Sequence, residues 1–355
     1  MSDIPYPKLR EYLDEYSLGF PETASGVEIK ILKKLYTEEE AELVVQLAPV
    51  HEDVDQIADR TGMEKRSLGE KLESMSRKGL LFRVRRDGRT TYRFAPFMIG
   101  LYEYSVNRID KELALLFREY YDTAYLSLMG ASNIPGFKVI PIKENIASDQ
   151  VLLPHHTLEE KIRAARKISV AECVCRKESQ LIGDGCDYPM ESCLNFGVAA
   201  EYYIENGMGR EIDAEEAIKI LNEADRAGLV HAGANSKHLS NICNCCPCCC
   251  ASMKGITKEG HDKHKYLNAL FEAVIDKDEC IDCEDCIDSC PVGAIEMADT
   301  AIVDREKCLG CGICAGNCPN DAISLFLRED REEPFDRLAD MGKAVYESMM
   351  RKNRE

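Results

Sequence analysis

The sequence predicts a multidomain α+β chain, and three observations carry that reading. The first 172 of its 355 residues contain no cysteine, while 18 cysteines crowd into the remainder. The cysteine-free half alternates helical and strand periodicities around an Asp-Gly turn. The last eight cysteines form two copies of one spacing, an internal duplication. Hydrophobic residues at 45% and charged residues at 30% are ordinary globular values and exclude wholesale disorder. No apolar run approaches a membrane span, and Met1-Ser2-Asp3-Ile4-Pro5 lacks the basic and apolar regions of a signal peptide. We therefore expect a cytoplasmic protein with no membrane insertion, in whose reducing surroundings cysteines serve as metal ligands or redox groups rather than disulfides. A formal charge of -18 opposes whole-molecule affinity for nucleic acid or anionic membranes.

In the N-terminal segment, expected over 1–96, Thr37 and Glu40 cap a helix carrying Ala41, Val44, Val45 and Leu47, which Pro49 breaks. Val54, Ile57 and Ala58 mark a short helix ending at Thr61-Gly62. Leu68, Leu72, Met75 and Leu80 then follow helical spacing. Leu81–Arg85 and Thr90–Phe94 flank Arg86-Asp87-Gly88-Arg89 as a hairpin. Helix, helix, turn, helix and hairpin together define a winged helix-turn-helix. From Arg60 to Arg93 there are 11 Arg and Lys against Glu64, Glu70, Glu73 and Asp87, a local net of +7. Lys65, Arg66, Lys71, Arg85, Arg86 and Arg89 fall on the expected recognition helix and wing, where phosphate contacts belong. Local charge supports DNA binding and global charge opposes it, so a docking or dimerisation module is the favoured use. Residues 97–150 read as a helical linker or dimerisation region, its aromatic stripe serving as core.

Residues 151–272 form the cysteine-rich middle domain, read as mainly helical. Thr157-Leu158-Glu159-Glu160 reads as a capping box, followed by Ile162, Ala165 and Ile168 on one face. Ile168 to Val174 reads as a strand delivering Cys173 and Cys175. A loop carries Cys186, and Cys193 is expected to open a helix running to Asn206. Asp213 to Ala227 is a further capped helix, stopped by Gly228. Cys243, Cys245, Cys246, Cys248, Cys249 and Cys250 then crowd eight positions. Thiolate number without an accompanying His pair points to one or two additional iron-sulfur clusters, the first on Cys173, Cys175, Cys186 and Cys193. A zinc staple, a mixed cluster and a disulfide relay are the alternatives. His155, His156, His231 and His238 are left out of every ligand set.

The duplicated run is the most specific signal. Cys280-x2-Cys283-x2-Cys286-x3-Cys290-Pro291 is repeated as Cys308-x2-Cys311-x2-Cys314-x3-Cys318-Pro319. Three thiolates two residues apart surround one 4Fe-4S cubane, and the fourth reaches the other. This assigns Cys280, Cys283, Cys286 and Cys318 to one cluster, and Cys308, Cys311, Cys314 and Cys290 to its neighbour. Zinc sites use separated pairs instead. Gly310, Gly312 and Gly316 would let the backbone approach the second cluster. Residues 273–328 resemble the bacterial two-cluster ferredoxin domain, which implies a βαββαβ-like fold, and 329–355 read as a helical tail. From Asp276 to Asp330, 14 Asp and Glu face four Lys and Arg, a local net of -10 that suits a redox partner with a basic docking face.

Pro154 to Leu158, Cys173-Val174-Cys175-Arg176, Gly185-Cys186-Asp187, Glu191-Ser192-Cys193-Leu194, Ala227 to His231 and Asn241 to Cys246 carry a wider likeness. The chain resembles anaerobe-type multi-cluster 4Fe-4S proteins with a winged-helix-like N-terminus and a C-terminal dicluster ferredoxin domain. The resemblance implies electron transfer in anaerobic metabolism. No nucleotide-binding motif or hydrolytic triad is present, so no catalytic residue is named. The expected role is an electron carrier, or the electron-transfer subunit of an oxidoreductase, acting as a homo-oligomer or within an enzyme complex. The alternative is a redox-sensing winged-helix transcriptional regulator.

Overall fold

Local capping chemistry sets the helices between Glu38 and Arg77. The computed structural model describes residues 5–16, 19–142, 145–148 and 158–352. Contacts gather these into two compact units, one of 1–128 with 174–185 and 198–210, the other of 129–173, 186–197 and 211–355. In the first unit Thr37 caps the helix Glu38–Val44 through a reciprocal box: Glu40 N–H donates to Thr37 Oγ1 at 3.2 Å, and Thr37 N–H to Glu40 Oε2 at 2.9 Å. Strand β1, Glu52–Asp53, leads into the helix Val54–Thr61, which Asp53 caps and Gly62 ends in the left-handed conformation. Glu64 then caps Lys65–Arg77 by accepting from the N–H groups of Arg66 and Ser67, both at 2.8 Å.

Strands β2, Leu81–Arg86, and β3, Arg89–Phe94, pair antiparallel with Arg86 opposite Arg89. Asp87 and Gly88 both take positive φ (51° and 75°), the type I′ geometry that matches strand twist. With β1 joined to β3, the sheet order is β1-β3-β2. Leu68, Leu72 and Met75 are buried with Leu81, Tyr92 and Phe94. Residues 97–125 are several pieces rather than one helix: Met98 and Ile99 are extended, and regular helix begins only at Lys111–Tyr120. Their rings are core, with Phe97 4.7–5.9 Å from Phe117, Tyr120, Tyr121 and Tyr125. Two later helices, Val174–Ile182 and Val198–Glu205, also belong to this unit.

The second unit is built on a sheet, which corrects the expectation of a mainly helical middle. Its strands are β4 Phe137–Val139, β5 Ile168–Glu172, β6 Glu191–Phe196, β8 Val230–Ala234, β9 Asn241–Cys245 and β10 Leu267–Ala269, with the end of β7 Gly209–Ile212, in the order β10-β4-β8-β9-β6-β5-β7. Cys193 lies inside β6 rather than opening a helix. Ser192, Leu194 and Phe196 alternate into the core with a period of two, and the helix starts only after Gly197 (φ 57°). The helix Ala214–Arg226 is capped by Asp213, which accepts from Glu216 N–H at 2.8 Å. It buries Ala217 and Leu221 with Val170, Leu194 and Ile242. Thr157 of the expected capping box, with His155 and His156, lies outside the described residues; the helix there spans Glu159–Arg163.

The chain continues through β11 Phe271–Ile275, a helical turn Asp285–Asp288, β12 Ile295–Met297, β13 Ala301–Val303, a second turn Ile313–Gly316 and β14 Ile323–Leu327. β11 pairs antiparallel with β14 and β12 with β13, so each half mirrors the other. A last helix spans Leu338–Lys352.

Candidate metal centres

Two cavities lie in the duplicated segment, each ringed by four cysteines. The first is lined by Cys280, Cys283, Cys286 and Cys318 with apolar Ile275, Met297 and Ile323. The second is lined by Cys290, Cys308, Cys311 and Cys314 with Val292, Leu309 and Leu325. Each therefore takes three thiols from one run and the fourth from the other. Backbone N–H groups of Ala294, Gly310 and Ala322 donate to Cys290, Cys308 and Cys318 sulfurs at 3.2–3.4 Å, the contacts that tune a bound cluster. Burial pushes the Cys286 thiol up, and the neighbouring Cys283, Cys280 and Cys318 add to it. Burial likewise raises Cys311 and Cys314. Desolvation and crowding both oppose four thiolates alone. An iron core of positive charge reverses both effects, so the donor set and cavity fit a 4Fe-4S cluster.

The cavities differ in exposure. Cys283 is exposed and Ile281 beside it keeps 60% of its surface, with Asp282 and Glu284 on the same rim. Around the second cavity Cys308, Cys314, Leu309 and Leu325 are buried. Gly310 (φ 63°) serves packing against the chain itself: a Cβ there would stand 2.1 Å from Phe271 O. At Gly312 (φ 87°) it would meet Asn145 Nδ2 at 2.8 Å.

The middle cysteines divide according to the faces of β9. Cys243 and Cys245 pair with Ala232 and Val230, whereas Asn244 pairs with His231 on the opposite face. Cys245 lies within hydrogen-bonding reach of the Cys243 and Cys250 thiols, which raise its thiol strongly. It packs against the buried cluster that includes Val230, Cys250, Leu309 and Ile313. The register that pairs Leu194 with Ile242 puts Cys193 opposite Cys243 one step further along. Past the strand, Cys246, Cys248 and Cys249 meet Cys186, with all four sulfurs within 4.8 Å of one another. Burial first, then Cys246, pushes the Cys248 thiol up to about 12.

Cys186, expected with Cys173, Cys175 and Cys193, lies with the later block. Cys173 extends the edge of β5, donating its N–H to Met190 O at 2.8 Å. Cys175 is the one cysteine in the first unit, on a helix whose Glu178 accepts from Tyr102 at 2.5 Å and Arg118 at 2.9 Å. A buried polar chain also runs beside β9, one with no local signal in the sequence. His231 Nδ1 lies 2.6 Å from Asn244 Oδ1, Asn244 donates to Ser192 O at 2.7 Å, and His231 Nε2 lies 3.8 Å from Asp225. Burial lowers His231 to about 4, so the ring is neutral at pH 7. The Asn244–His231 pairing was readable only once β8 and β9 were known to be neighbours.

The expected nucleic-acid cations are mostly engaged within their own unit. Lys65 pairs with Asp55 at 2.8 Å, Arg66 with Glu70 at 3.4 Å and Lys71 with Glu39 at 3.1 Å. Arg89 pairs with Asp53 at 3.2 Å, and Arg85 with Glu73 at 3.1 Å and with Glu205. Arg86 stands exposed at the hairpin tip. Such pairs add little stability, but each carboxylate cancels charge a phosphate would need.

Residues 273–325 match the family model described as a 4Fe-4S dicluster domain. No curated protein and no solved structure matches the chain. The match covers the C-terminal segment alone and leaves the rest of the chain unassigned. Among the described residues, no helix is long and apolar enough to cross a membrane.

Proposed function

We propose that the chain is a cytoplasmic iron-sulfur electron-transfer protein, or the electron-transfer subunit of an oxidoreductase, in anaerobic redox metabolism. The observation that carries this is the pair of cavities, each ringed by three cysteines of one run and one of the other. The strand-helix-strand order repeated twice supports a dicluster ferredoxin fold. When bound, the clusters accept and release single electrons. The residues hold them, donate N–H groups to their sulfurs and keep water from the second cavity. The exposed rim at Cys283, Asp282 and Glu284 serves as the port for a partner with a basic docking face. Of the one or two further clusters expected, we keep one, on Cys243, Cys245 and Cys250 with Cys193 opposite Cys243. Cys245 packs against the cluster that holds Leu309, a residue lining the second cavity, which gives that cavity an inward neighbour.

The first unit has the element order of a winged helix, and we assign it a docking role rather than DNA binding. Five of its six candidate phosphate contacts already face carboxylates. Anaerobic purification followed by iron and sulfide analysis tests the electron-transfer reading. Two cubanes require about eight irons and eight sulfides per chain. Cys283→Ser and Cys311→Ser should each remove one cluster signal in electron paramagnetic resonance. A total well below eight irons would sink the proposal.

A further inference from the structure

We infer that Cys186, Cys246, Cys248 and Cys249 form a single-ion tetrathiolate site, holding zinc or a lone iron, that is separate from every iron-sulfur cluster. The distances carry it. Cys249 Sγ lies 3.5 Å from Cys186 Sγ and 3.7 Å from Cys248 Sγ, and no pair in the set exceeds 4.8 Å. Four sulfurs placed tetrahedrally at about 2.3 Å from one ion stand roughly 3.8 Å apart. The observed spacing is that of one ion at the centre.

The duplicated segment of the same chain provides the contrast. There the cysteines ring two cavities, and among the described residues they form no group with sulfurs as close as this one. A core of four irons and four sulfides needs thiols spread around such a space. Thiols already touching one another leave room for one ion and no inorganic sulfide. A set of four cysteines with no oxygen or nitrogen donor selects soft tetrahedral ions, which leaves zinc and iron as the two sources.

The placement explains what the ion does. Cys186 comes from the loop before β6, and the other three from the turn after β9, 60 residues further on. Cys246 and Cys249 are buried against Ala224 and Leu229 at the end of the helix Ala214–Arg226. The ion thus ties that loop to the turn that presents Cys250, and Cys250 belongs to the neighbouring thiol set. Its role is structural.

Metal and labile-sulfide analysis of the full chain, purified anaerobically, tests this with Cys248→Ser and Cys186→Ser. Each should lose about one metal equivalent while sulfide stays unchanged; zinc loss and sulfide-free iron loss distinguish the two ions. Loss of iron with matching sulfide, or no metal loss, overturns the site. If the variants fail to fold, wild-type protein decides. Zinc bound by four sulfurs at about 2.3 Å in X-ray absorption, or a mononuclear iron component in Mössbauer spectra, supports it. Absence of zinc with all iron in clusters overturns it. Because the site contributes no sulfide, its failure leaves the two-cubane count intact, and the reverse also holds.

Discussion

At Gly310 the lack of a side chain is a steric requirement. Its φ of 63° suits no L side chain well, and a Cβ would collide with Phe271 O at 2.1 Å. Gly310→Ala should therefore destabilise the chain by about 3 kcal/mol or more, adding left-handed strain to a forced backbone shift. The second cavity should lose its cluster before the first. Thermal unfolding of the anaerobic protein, with iron counted, checks this; an unchanged melt with full iron contradicts it. His231 supplies a pH dependence. Burial lowers its pKa from 6.5 to about 4, so the unfolded chain binds its proton first as pH falls. Its contribution is complete above about pH 6.5 and disappears on the way to pH 4, by up to about 3 kcal/mol. Denaturant titrations of wild type and His231→Gln at pH 7 and pH 5 should show the wild type losing more.

The N-terminal elements were legible in sequence because their determinants are local. Thr37 and Glu40 close their own box, Gly62 ends its helix, and Asp87-Gly88 specifies the hairpin. Thr37→Ala should cost about 1 kcal/mol, measured by chemical denaturation, because Glu40 N–H loses its acceptor. The central sheet was hidden for the opposite reason. Its strands are three to six residues long, and β9 (Asn241–Cys245) holds Asn and Cys where β-branched residues would advertise a strand. Its order, β10-β4-β8-β9-β6-β5-β7, depends on partners far apart in sequence. The duplicated cysteine spacing made the ferredoxin thiol sets readable, whereas Cys186 reaches its partners across 60 residues. The alternation of Asn241 to Cys246 did hold a usable signal: period two sends Cys243 and Cys245 to one face and Cys246 to the other.

Across the whole molecule, charge separates the two functional readings. A chain of net charge -18 carries a basic hairpin and helix, yet those cations face Asp53, Asp55, Glu39, Glu70 and Glu73. Gel shifts at about 0.15 M salt should show no specific duplex binding in either redox state. A tight, salt-dependent complex abolished by neutralising Arg85, Arg86 and Arg89 would restore the regulator reading. The central claim is that the duplicated cysteines hold two cubanes with exchanged fourth ligands. Anomalous diffraction at the iron edge, from a crystal grown without oxygen, tests it most directly. Two exchanged cubanes place one iron group among Cys280, Cys283, Cys286 and Cys318, and another among Cys290, Cys308, Cys311 and Cys314. A single iron group, zinc in either cavity, or each run closing on its own four cysteines would contradict it.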